Sequence, residues 1–149
     1  MNKNDPHSLR AERLRRAGLR ATAPRMAILA ALEGDRRHPT AEMVFADLSR
    51  DHPSMSLSTV YATLESFLRK GLIRRVASLA GSKRVDGTPP DHDHAVCRSC
   101  GRVYDVARDA VRRPPVPETL PAGLRVVNLF LEYEVVCPDC AGTGTPDHP

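Results

Sequence analysis

A chain of 149 residues, 41% hydrophobic and 27% charged, is long enough for one ordinary domain or two small ones. No apolar run reaches membrane-spanning length, and the opening "MNKNDPHSLRAERLRRAG" has no signal-like apolar core, so a cytoplasmic protein with no membrane partner is expected. Charge divides the chain: residues 1–84 carry 16 Lys and Arg against 8 Asp and Glu, and residues 85–149 carry 6 against 10. A basic half followed by an acidic one, rich in His and Cys, suggests a nucleic-acid-binding domain at 1–84 and a metal-binding domain at 85–149. Basic side chains that merely solvate helix surfaces would give the same count.

The basic half reads as short helices. "TAPRMAILAALEG" offers Thr22 as N-cap, Pro24 in the first turn, apolar Met26, Ile28, Leu29 and Leu32, and Gly34 as a stop. "PTAEMVFADLSRDHP" places Met43, Val44 and Leu48 at helical spacing between prolines. In "SMSLSTVYATLESFLRKGLI", Leu57, Val60, Leu64, Phe67 and Leu68 fall on one face, while Ser58, Ala62, Glu65 and Arg69 fall on the other. Tyr61 lies at the border.

After Gly71, "LIRRVASLAGSKRVDG" gives two short extended runs around a Gly-Ser turn. Three helices and a basic hairpin describe a winged helix-turn-helix. Its last helix would enter the major groove, with Ser58 and Thr59 near the N-terminus and Tyr61 reaching a base or phosphate. Arg74, Arg75, Lys83 and Arg84 on the wing would meet backbone phosphate.

The acidic half carries two C-x-x-C knuckles, Cys97 with Cys100 and Cys137 with Cys140, 36 residues apart. In a reducing compartment such pairs are metal ligands more often than disulfides, and four thiolates suit a closed, tetrahedral Zn²⁺ site of structural role. A core with no Trp, three Tyr and three Phe gains from that cross-link.

The stretch "DHDHAVCRSC" adds histidines beside the first knuckle. If it is a strand, alternation puts His92 and His94 on one face and Cys97 on the other, so two sites are expected. If "CRSCG" closes a hairpin, the return strand brings Asp105 opposite His94. Asp86 at the end of the wing is a further candidate, and so is His38, which taken alone reads more simply as a capping or surface histidine. Imidazole with carboxylate favours Mn²⁺, Fe²⁺, Zn²⁺ or Ni²⁺ over thiophilic ions.

Taken together, "GLRATAPRMAIL", "HPTAEMVFADL", "SLSTVYATLESFLRKGLI", "DHDHAVCRSCGRVYD" and the final "CPDC" resemble the ferric uptake regulator family of bacterial metal-dependent repressors over residues 9–140. The resemblance implies an α+β fold: an N-terminal winged helix-turn-helix domain, then a small α/β dimerisation domain with a four-cysteine zinc site. It implies a homodimer on palindromic operator DNA, one structural Zn²⁺ per chain on Cys97, Cys100, Cys137 and Cys140, and one regulatory ion on His38, Asp86, His92, His94 and Asp105. It also implies DNA contacts from Ser58, Thr59 and Tyr61, with Arg20 where the family has a basic residue close to DNA.

Departures from the pattern indicate the branch. Iron sensors often add a site built with an acid and a His where this chain has Arg112 and Leu129, so one regulatory site is expected. The short carboxylate of Asp105 resembles the peroxide-sensing and manganese-responsive branch, which implies Fe²⁺ or Mn²⁺ as regulatory ion and peroxide oxidation of a coordinating His as the signal. Ala62 stands where many members have Arg or Asn. The proline-rich "RRPPVPETLPAG" implies that the dimerisation helix is short or displaced.

The alternatives are a manganese-, iron-, zinc- or nickel-uptake regulator without peroxide sensing, a zinc-ribbon protein-interaction module, and a metallohydrolase. The last lacks an activated nucleophile, a helical H-E-x-x-H and a separate acid/base pair, so no enzyme is expected.

Overall fold

The computed structural model describes residues 5–76, 83–88, 92–126 and 129–142. The chain divides into two compact units, Met1–Pro89 and Pro90–Pro149. Among the described residues no helix is long and apolar enough to cross a membrane.

The first unit begins with a helix that the apolar pattern does not announce, α1 (Pro6–Arg16), in which only Ala11 and Leu14 are buried. Local chemistry makes it. Asp5 caps the N-terminus by accepting from Ser8 N, Pro6 sits in the first turn, and Arg13, Arg15 and Arg16 oppose the dipole at the other end. Arg10 and Arg13 then clamp Glu33 at 2.6 and 2.7 Å.

Next come α2 (Ala23–Leu32), α3 (Ala41–Leu48) and α4 (Leu57–Arg69); Thr22 occupies the N-cap position of α2 without a side-chain hydrogen bond, while the Thr40 and Ser56 side chains cap α3 and α4 by accepting from Met43 N and Thr59 N. The expected apolar residues turn inward: Met26, Ile28, Leu29, Leu32, Val44, Val60, Leu64 and Phe67 join Leu14 and Leu19 in one core. Thr63, which the periodicity leaves unassigned, is buried as well.

Strands β1 (Arg74–Val76) and β2 (Arg84–Asp86) pair antiparallel, with Arg74 opposite Asp86 and Val76 opposite Arg84. Val85 joins the helical core. The Gly-Ser turn expected between the strands lies outside the described residues. Gly87 follows at a close approach: a Cβ there would stand 2.6 Å from Leu32 Cβ, so the chain leaves the wing only through glycine.

In the second unit, β3 (His92–Cys97) is the central strand, antiparallel to β4 (Val103–Ala107) and parallel to β7 (Glu132–Val135). The β3–β4 turn closes at Gly101, whose φ of +68° suits a residue without Cβ. The register sets His94 opposite Asp105, the pairing expected from the sequence. A two-residue ladder of β5 (Thr119–Leu120) and β6 (Leu124–Arg125) flanks a 3₁₀ turn at Pro121–Gly123, and α5 (Pro138–Ala141) ends the described chain. Among the described residues between β4 and β7 no α-helix forms. Pro114, Pro115 and Pro117 lack the N–H groups a helix needs, so the segment is more than a shortened helix.

Candidate metal centres and nucleic-acid surface

Cys97 ends β3, Cys100 sits in the turn, Cys137 caps α5 and Cys140 lies within it, and their four sulfurs lie within 4.8 Å of one another. The backbone prepares the set to carry negative charge. Cys137 N donates to Cys97 Sγ at 3.3 Å, and N–H groups of Cys137 and Cys100 lower the Cys97 thiol to about 6. With Cys137 Sγ only 3.8 Å from Cys100 Sγ, the thiols cannot all ionise unaided. Hydrogen bonding to Cys137, with burial, pushes Cys140 up to about 12. A divalent cation removes that conflict, and four sulfur donors at this spacing fit Zn²⁺. Arg102 and Asp139 pair at 2.6 Å and join the two knuckles from outside.

On the other face of β3, His92 Nε2 lies 3.4 Å and His94 Nε2 4.0 Å from the same oxygen of Asp105. The two imidazoles meet edge to face, centroids 5.0 Å apart. Asp93, between them in sequence, turns away and is fully buried. Its carboxylate accepts from Leu131 N at 3.0 Å and from Arg113, while Arg113 also donates to the Leu129 carbonyl at 2.7 Å. This brace went unread in the sequence, because its members lie far apart along the chain.

In the first unit, His38 and Asp86 offer ligand atoms within 4.8 Å of each other, and both are buried. His38 has φ 50°, a left-handed conformation unusual outside glycine and enriched at functional positions. Its Nδ1 lies 3.0 Å from the Arg36 carbonyl; donation there puts the lone pair on Nε2. Asp86 is held by Arg74 Nε at 2.8 Å and by Thr88 N at 2.9 Å.

The groups expected to meet DNA are distributed unevenly. Ser58 and Tyr61 are exposed on α4, and Thr59 is half-buried. Ser56 Oγ binds the hydroxyls of Ser58 and Thr59 at 2.8 and 2.9 Å, a network that caps the helix. Arg20 is exposed and lines a shallow concavity with Arg15 and Thr22. Arg75 pairs with Glu65 at 2.6 Å while half exposed, and Lys83 is exposed. Arg74 instead turns to Asp86 with its side chain 16% exposed, and Arg84 donates to the Arg37 and His38 carbonyls. One acidic neighbour was missed: the Tyr61 hydroxyl donates to Glu42, on α3.

The sequence profile described as the ferric uptake regulator family matches residues 16–134. The peroxide operon regulator of Bacillus subtilis is 33% identical over 130 residues, covering 87% of this chain and 90% of that one. A peroxide-responsive repressor of Staphylococcus aureus is 37% identical over 92 residues, 62% of each chain. The solved ferric uptake regulator of Pseudomonas aeruginosa with manganese superposes with a TM-score of 0.68 at 28% identity, covering 87% of this chain and 98% of that one. With a family profile spanning most of its length, the chain belongs to the ferric uptake regulator family.

Proposed function

We propose that the chain is a metal-dependent transcriptional repressor of the peroxide-sensing branch, with residues 1–84 binding DNA and residues 85–149 binding metal and dimerising. It is a regulator and not an enzyme, as its family relatives are. The observation that carries the reading is the separation of two donor sets on opposite faces of β3: four thiols on one side, two imidazoles and a carboxylate on the other. Soft, closed coordination suits a permanent structural Zn²⁺, and mixed nitrogen and oxygen coordination suits an exchangeable Fe²⁺ or Mn²⁺.

On the family resemblance, His38 and Asp86 add their ligand atoms to those of His92, His94 and Asp105. A bound Fe²⁺ there would supply a cross-link between ligands from both halves and reactivity toward peroxide. Asp105, with one methylene fewer than Glu, holds its carboxylate close to β4, and the Arg36 carbonyl sets the His38 tautomer. Ser58, Thr59 and Tyr61 on α4 face base edges, while Arg20, Arg75 and Lys83 draw in phosphate; a palindromic operator follows from a two-fold dimer. Exposed Leu120, Leu124 and Phe130 offer an apolar surface for the second protomer. The cytoplasm, which keeps the four thiols reduced, is the compartment that suits it.

Mobility shifts on duplexes enriched from a random pool, run with Mn²⁺, Fe²⁺, Zn²⁺ and Ni²⁺, test this. His92→Ala and Asp105→Ala should leave a folded zinc dimer and abolish metal-stimulated binding, and peroxide should release DNA from the iron form alone. Loss of zinc in His92→Ala would merge the two sites into one. An iron form indifferent to peroxide would make the chain a metal-uptake regulator.

A further inference from the structure

The Tyr61 hydroxyl and the Glu42 carboxylate form a hydrogen-bonded pair at the exposed junction of α4 and α3, in which the phenol donates and the carboxylate accepts. Glu42 lies in the first turn of α3, where the helix dipole favours its ionised form, and the hydrogen bond from Tyr61 holds its carboxyl below the usual range. A carboxylate has no proton to give, and a phenol has one. With that proton committed to Glu42, Tyr61 presents lone pairs only, and so does the rest of the carboxylate. The pair can accept hydrogen bonds and donate none.

While the pair is formed, several partners are disfavoured. Phosphate oxygens, guanine O6 and N7 and thymine O4 are acceptors, and two acceptors repel. The donors in the major groove are the exocyclic amines, adenine N6 and cytosine N4. Arg75, Glu65 and Lys83 line the same hollow as Tyr61; Arg75 is balanced by Glu65, and Lys83 adds a positive charge that offsets the carboxylate against the DNA backbone.

We infer that Tyr61 and Glu42 act together as a base-reading acceptor that selects an exocyclic amine in the major groove, with Glu42 determining specificity through Tyr61. The inference rests on the reading of α4 as the helix that faces the groove. Tyr61 taken alone could donate to phosphate or to a keto oxygen; Glu42 removes that option.

The test uses full-length, Mn²⁺-loaded protein and duplexes enriched from a random pool by the wild type. The half-site position at which Tyr61→Phe loses preference is located first. Its base is then replaced by an analogue lacking the amine, such as purine for adenine. Amine deletion should weaken wild-type binding about tenfold, as expected for one hydrogen bond, and leave Tyr61→Phe almost unchanged. Glu42→Gln should lose the preference for the amine-bearing base and accept thymine or guanine at that position, because its amide can donate to the phenol oxygen and release the Tyr61 proton. Equal losses in wild type and Tyr61→Phe would overturn the assignment. So would Glu42→Gln binding every duplex more tightly by one common factor, the signature of a carboxylate that only repels phosphate. If the wild type enriches no sequence at all, the repressor reading falls, and this inference falls with it.

Discussion

Four helices of the first unit surround a cluster of fifteen buried apolar residues, from Ala11 to Val85, while the buried apolar residues described in the second are Ala95, Val96, Val103, Cys97 and Cys137. Two of those five are thiols at the metal set, so the second unit has little apolar interior apart from its ligands. The first can be stabilised by removing side chains from water. The second leaves Val116, Leu120, Leu124 and Phe130 exposed, and its elements meet through polar links: four sulfurs, a Cys97 N–H to Arg102 carbonyl bond at 2.9 Å, and the buried Asp93. An apolar core tolerates the loss of one member with a finite cavity, but a ligand set loses its cross-link when one donor goes.

The largest effect should therefore come from a cysteine. Cys137→Ser should release zinc and unfold the second unit, a loss on the order of 10 kcal/mol of metal-coupled folding energy. Metal analysis should find the ion gone. Hydrogen exchange should show β3, β4 and β7 unprotected while α2, α3 and α4 keep their protection. A zinc-free variant with a protected β3 would end the contrast.

Next in size is Phe67→Ala, which empties the centre of the helical core and should cost about 4 kcal/mol, within the range for buried aromatic truncations. Thermal melts followed by helical circular dichroism should shift down while zinc content stays unchanged. If zinc is lost in proportion, the two units unfold together and the division of labour fails.

What the sequence discloses follows the same division. Apolar periodicity is a local signal, so α2, α3 and α4 and the N-cap position at Thr22 could be placed from spacing alone. Paired C-x-x-C spacing and strand alternation likewise anticipate the sulfur cluster and the opposite face carrying His92, His94 and Asp105. Helix α1 escaped because its stability comes from capping and from ion pairs to a residue at the end of the next helix. The fates of Arg74 and Arg84 escaped because a charge count cannot distinguish a guanidinium facing solvent from one spent on Asp86 or on backbone carbonyls. Asp93 escaped because its partners are 20 and 38 residues away along the chain.

Asp93 supplies the smallest and finest test. Burial pushes its carboxyl up, but the Leu131 N–H and the Arg113 guanidinium pull it further down, to below the ordinary value of 3.8. The folded state therefore prefers the ionised form, and protons bind the unfolded chain first. The contribution is complete above the unfolded value and disappears as pH falls through the lower, folded one. Asp93→Asn leaves Leu131 N an acceptor of the same shape but strands the Arg113 charge, at a cost of about 3 kcal/mol. Arg113→Met in the same chain should return part of that. Acid also protonates the thiols and expels zinc, but it does so in both proteins, so the quantity to measure is the difference between wild type and Asp93→Asn. That difference should be level above about pH 5 and shrink toward zero at lower pH. A difference independent of pH would mean that Asp93 holds β3 to β7 by shape alone, and the polar joint of the second unit would then depend on its sulfurs.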